Sequence, residues 1–101
     1  MNKSTKSGVR AFDAANYLNT EADIIAYLDT VLEDDDPALL AAALGDIARA
    51  RGMTSLAQAT GLSRESLYKS LSGERIPSTD TLFKVIHALG LKLSVSEREA
   101  S

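Results

Sequence analysis

Residues 63–75 read SRESLYKSLSGER, and several of these side chains have the chemistry to meet a groove of double-stranded nucleic acid. An arginine such as Arg64 can pair bidentately with guanine O6 and N7. A lysine such as Lys69 can reach a base or a phosphate, and Glu65 can accept from cytosine N4 or orient Arg64. The hydroxyls of Ser63 and Ser66 suit phosphate contact, as does Arg75 after Gly73. A helix opening at the Ser63 cap turns Leu67 and Leu71 inward at i, i+4. Arg64, Glu65, Ser66 and Lys69 then share its outward flank. The same pattern also suits an ordinary αα-hairpin with solvated cations, so spacing alone leaves both readings open.

Other chemistry is poorly represented. His87 is the single histidine and the chain has no cysteine, so no nucleophilic triad or thiolate metal site is expected. The run Glu33-Asp34-Asp35-Asp36 lacks the alternating ligands and glycine of a calcium loop and reads as a solvated linker and helix cap. No phosphate-cradling glycine loop occurs. The sequence therefore predicts a protein that is not an enzyme, with no cofactor and no metal.

The 101 residues fit one domain, and 45% hydrophobic residues are enough for one small core. With no tryptophan and 5% aromatics, that core must come from Leu, Ile, Val and Ala, which suits packed helices. No apolar run approaches the roughly 18 residues of a membrane span, and no apolar stretch follows the basic N-terminus as in a signal peptide. A cytoplasmic protein is expected.

The net charge of -3 conceals an asymmetry. Lys3, Lys6 and Arg10 make the start basic, whereas residues 11–48 hold nine acids and no Lys or Arg. Residues 49–92 carry seven cations against Glu65, Glu74 and Asp80. Such a division predicts two surfaces with different partners, against the plainer reading of a solvated acidic face.

The elements that position these groups are legible as helices. Asp13 is expected to cap a short turn through Leu18. Thr20, followed by Glu21 and Asp23, predicts a helix over 21–33 with Ile24, Ile25, Leu28, Val31 and Leu32 at 3.6-type spacing. Asp36-Pro37 is a strong start signal for a helix over 37–51, whose stripe is Leu39, Leu40, Ala43, Leu44, Ile47 and Ala48 and whose stop is Gly52. Thr54 or Ser55 is expected to cap a helix through Thr60, with Ser55 and Gln58 at capping-box spacing. Gly61-Leu62-Ser63 forms the turn into the helix that ends at Gly73. Ser78 or Thr79 opens the last helix, with Leu82, Val85, Ile86 and Leu89 inward and Gly90 as its stop. The alternation in residues 91–95 allows a short strand.

LAQATGLSRESLYKSLSGERIPSTDTLFKVIHALG resembles the phage-repressor (Xre/Cro-C1) helix-turn-helix through Leu56-Ala57, Gly61, Ser63-Arg64, Gly73, Pro77, Leu82 and Ala88-Leu89-Gly90. FDAANYL, IIAYLDTVLEDDDPALLAAALGDIARARGM and GLSRESLYKSLSGE are similar to the HigA-like family of probable addiction module antidote proteins, over about residues 11–95. The resemblance implies an antitoxin that neutralises a RelE/ParE-type toxin and represses its own operon. It puts base reading on Arg64, Glu65 and Lys69. Phosphate contact falls on Ser63, Ser66 and Arg75, with Thr54 and Ser55 at the start of the preceding helix. Many repressor-type domains carry glutamate where this chain has Leu71, so here apolar packing must fix the helix.

The expected fold is all-α: a phage-repressor-like five-helix helix-turn-helix domain over 37–95, an N-terminal acidic helical extension over 11–36, and disordered tails at 1–10 and 96–101. A ribonuclease presents a cationic groove to RNA, and an acidic helix can meet it. Tyr27, Asp29, Leu32, Glu33, Asp34 and Asp35 are the toxin-binding candidates. One recognition helix covers too few base pairs for useful specificity, which predicts a homodimer on an operator palindrome with half-sites about 34 Å apart. Leu91, Leu93 and Val95 beside the last helix are the candidate dimer surface. The alternative is a stand-alone prophage-type repressor without a toxin partner.

Overall fold

Asp36 and Pro37 begin the central helix. The Asp36 carboxylate accepts from the backbone N–H groups of Ala38 and Leu39 at 3.0 and 3.3 Å, and Pro37 occupies a position whose N–H would have no partner. A computed structural model describes residues 18–98 and holds five helices among them: α1 Glu21–Leu32, α2 Pro37–Arg51, α3 Met53–Thr60, α4 Arg64–Ser70 and α5 Thr79–Ala88. The expected turn from Asp13 to Leu18 lies, but for Leu18, outside the described residues.

Helix α2 is buried on nearly every side from Ala43 to Ala48, which is the pattern of a helix at the centre of a bundle. Helices α1, α3 and α4 all pack on it, and α5 closes over α3. One core runs through all five, from Ile24 and Leu28 of α1 through Leu44 and Ile47 to Leu67, Val85 and Ile86. The five helices include α1, so residues 37–95 contain four of them rather than the five expected there.

Several local signals act as the sequence predicts. Thr20 and Asp23 form a reciprocal capping box on α1. Ser63 caps α4 and Ser78 caps α5, each hydroxyl accepting from an N–H three residues on. Gly90, at a φ of +79°, ends α5 by donating to the His87 carbonyl while Leu91 donates back to Ile86, a Schellman closure that aims the C-terminal segment across the bundle.

Three expectations fail. Helix α3 starts at Met53 with Gly52 at its cap and no side-chain cap, so neither Thr54 nor Ser55 has that role. Gly52 ends α2 and begins α3, at a φ of +108° that favours glycine. Residues 91–95 form no strand among the described residues, because no neighbouring segment offers a ladder. Leu39 is exposed although it belongs to the expected stripe of α2, and Ile25 and Leu32 of the α1 spacing are exposed as well. The buried stripe of α1 is Ile24, Leu28 and Val31, a narrower arc than the apolar spacing suggested.

Candidate nucleic-acid interface and acidic flank

The α3–α4 unit is built from its turn outward. Gly61 takes a φ of +78° and donates to the Ala57 carbonyl at 2.9 Å. The Thr60 hydroxyl donates back to Leu56 at 2.9 Å and accepts from the Leu62 N–H at 3.2 Å, so one side chain ties the end of α3 to the turn. Ser63 then starts α4. Leu67 is wholly buried and Leu71, just past the helix end, is almost so. These two hold α4 against α2 by apolar contact, without an ion pair at position 71.

Gly45 adds a constraint. A Cβ at this position of α2 would lie 2.3 Å from the Leu71 carbonyl oxygen, a contact that real side chains do not make. The backbone at the end of α4 therefore sits directly on α2. The loop that follows is closed by Ser72, whose hydroxyl donates to the Lys69 carbonyl and accepts from the Glu74 N–H, both at 3.1 Å.

With Leu67 turned in, the other face of α4 is left to solvent. Arg64, Glu65, Ser66 and Lys69 are all exposed, as are Ser63 at the cap, Arg75 in the loop, and Thr54 and Ser55 in the first turn of α3. Arg64, Glu65, Lys69 and Arg75 form no ion pair among the described residues. Glu65 thus does not orient Arg64 through a salt bridge. Ser63 uses its oxygen to cap α4, yet its hydroxyl proton remains a possible donor. Tyr68 is also exposed on α4, and His87 is exposed on α5.

The acidic flank is arranged differently. Most of its carboxylates have structural tasks. Glu21 pairs with Arg51. Asp23 completes the α1 capping box and Asp36 caps α2. Asp46 lies fully buried in α2, accepts from the Tyr27 hydroxyl at 2.8 Å and pairs with Arg49. Asp35, at a φ of +54°, pairs with Arg98 at 3.2 Å. Asp29, Glu33 and Asp34 are exposed, and their carboxylates have no hydrogen bond or ion pair among the described residues.

The toxin-binding candidates therefore divide. Leu32, Asp29, Glu33 and Asp34 stand free on the surface. Tyr27 is half-buried against the core with its hydroxyl on Asp46, and Asp35 is engaged by Arg98. Leu91 is half-buried, while Leu93 and Val95 are exposed. No group of side chains suited to a metal ion occurs among the described residues. No helix among them is long and apolar enough to cross a membrane.

A family model described as probable addiction module antidote protein matches residues 8–97. The chain belongs to that family. It is also 45% identical over 89 residues to an uncharacterized protein of Haemophilus influenzae, an alignment spanning 88% of this chain and 92% of that one. No solved structure matches the chain. An addiction-module antidote implies a toxin as its partner, which gives the free carboxylates of this antidote a specific interest.

Sequence reasoning missed Gly45 and Asp46. Both lie off the apolar stripe expected for α2, and a glycine and an acid in a run otherwise made of Ala, Leu and Ile were the available signal. A glycine within a helix often marks a close approach of another backbone. An aspartate three residues before Arg49 has a partner within reach on the same face.

Proposed function

We propose that this protein is the antitoxin of a type II toxin–antitoxin module and represses its own operon by binding DNA through α4. The single observation that carries the DNA-binding half is the outward face of α4. Arg64, Glu65, Ser66 and Lys69 are exposed there, the charged ones without ion-pair partners, on a helix fixed from behind by Leu67 and Leu71. In this reading the α3–α4 pair is a helix-turn-helix of the phage-repressor type, as in HigA-like antitoxins. Arg64, Glu65 and Lys69 read bases, and Ser63, Ser66, Arg75, Thr54 and Ser55 contact phosphates.

Family membership supports the antitoxin half. The partner in this reading is a basic RelE/ParE-like toxin that meets the acidic flank through Asp29, Leu32, Glu33 and Asp34. Tyr27 supports that surface from beneath, and Asp35 lies beside it, paired with Arg98. The operator is a palindrome bound by a homodimer, with Leu91, Leu93 and Val95 beside α5 as its candidate contact.

Two measurements test the halves separately. A gel shift on the native promoter at two salt concentrations should show binding that weakens as salt rises, since phosphate contacts release counterions. Binding that is absent at both sinks the repressor half. Co-expression with the adjacent reading frame should yield a stable complex that relieves growth arrest. A stand-alone repressor would show the first result without the second.

A further inference from the structure

Helix α1 buries one apolar stripe and leaves a mixed one outside. Ile24, Leu28 and Val31 face the core, while Ile25, Asp29 and Leu32, two apolar residues flanking an acid, recur one position further on, at i, i+4 and i+7. The second stripe is one wall of an open groove. The other wall is the C-terminal segment, with Leu91 and Leu93, and Ile86 of α5 lies at its base. Ile25, Leu32 and Leu93 remain 52%, 43% and 41% exposed in this groove. The segment is held in place at both ends, by the Schellman closure at Leu91 and by the Arg98–Asp35 pair. The groove is thus a built surface whose walls come from distant parts of the chain.

Charge indicates what fits it. Asp29 lines the groove, Glu33 lies one turn beyond it on α1, and Asp34 follows. Among the described residues these are the three acids of the flank with no structural task. Lys92 is the cation in the lining. A second copy docked face to face would oppose these acids to their own counterparts, and like charges in an interface are repulsive. We infer that the groove is the docking site for the cationic protein partner: an apolar side chain of that partner inserts between Leu32 and Leu93, and flanking Lys or Arg residues meet Asp29, Glu33 and Asp34. This rests on the antitoxin reading and sharpens it. It also withdraws Leu93 from the dimer contact, leaving self-association to α5 and to Val95, which is 98% exposed and outside the groove lining.

The test is binding kinetics between the full chain and the purified product of the adjacent reading frame, at low and high salt. Leu32→Ala and Leu93→Ala should each raise the dissociation rate about tenfold, as loss of a central apolar anchor does. The double variant Asp29→Asn, Glu33→Gln should instead lower the association rate about tenfold at low salt and flatten its salt dependence. Glu74→Gln, an exposed acid elsewhere, should change neither. All five positions are exposed on the surface, and circular dichroism together with operator binding reports that each variant is folded. If the wild-type chain binds and the groove variants bind equally well, the groove assignment is wrong while the antitoxin reading stands. If the wild-type chain does not bind at all, the antitoxin reading falls and the groove assignment falls with it. If Leu32→Ala and Leu93→Ala convert the free chain from dimer to monomer in sedimentation and leave partner binding untouched, the groove belongs to a second copy and the inference is overturned.

Discussion

The α3–α4 unit and the α1 flank carry opposite charge, and they use it in opposite ways. In the basic unit, Arg64, Lys69 and Arg75 have no internal ion-pair partner among the described residues, and apolar contact and backbone proximity seat the helix that carries two of them. Among the described residues of the acidic flank most carboxylates cap, pair or bond within the fold, and only Asp29, Glu33 and Asp34 are left over. Counting charge per segment therefore overstates the acidic surface, and also the basic one outside the α3–α4 unit, where Arg49, Arg51 and Lys84 are paired. A helix held by leucines leaves its ionic groups available to a partner. A helix pinned partly by ion pairs keeps only its unpaired groups for that purpose, here Asp29 on α1.

The largest expected effects test what seats each region. Leu67→Ala removes a wholly buried side chain from beneath α4 and should cost about 2–5 kcal/mol of stability in urea unfolding. Ile24→Ala in α1 should cost a similar amount if the two regions share one cooperative core. Two separate unfolding transitions would show instead that α1 melts independently.

Gly45→Ala and Asp46→Asn come next, and each should cost about 1–3 kcal/mol. They act through different physics. The alanine forces the α4 backbone off α2, so operator affinity should fall along with stability. The asparagine removes the charge that pairs with Arg49 while keeping an acceptor for Tyr27, so stability should fall with operator affinity preserved in the folded fraction. Equal damage to DNA binding from both would mean that α1 and α4 are not separable.

Arg64→Ala should leave the unfolding midpoint unchanged and weaken cognate operator binding by about 1–3 kcal/mol if Arg64 reads a base. Equal losses on cognate and random DNA would make it a phosphate contact. The smallest effect belongs to the exposed pair at the other end of the molecule. Arg98→Ala should cost no more than about 1 kcal/mol and the loss should shrink in salt.

The sequence specified the helices well where a local rule governs them. The Thr20, Asp36, Ser63 and Ser78 caps and the Gly61 and Gly90 stops depend on residues a few positions apart, so they can be read in one dimension. Apolar spacing was less reliable at the bundle's edge. Ile25, Leu32 and Leu39 satisfy helical periodicity but have no helix to cover them, and periodicity cannot report how wide a buried arc its neighbours will close. Of the site, the outward side chains of α4 followed from Leu67 and Leu71 turning in. Thr54 and Ser55 did not become caps, because Gly52 already provides the break between α2 and α3.

What the sequence determined by itself is thus a chain of five helices, four of them with legible side-chain caps, with cations concentrated after residue 48 and acids before it. Only the tertiary structure decided which charges are free. Asp46 becomes a buried partner of Tyr27 and Arg49 because α1 crosses α2 at that level. Asp35 is engaged because residue 98 returns to it across the fold. Gly45 is required because the Leu71 carbonyl lies where a side chain would be. Each depends on contacts between residues far apart in the chain, and pairings at that range are set by packing geometry, which no local pattern of residue types encodes.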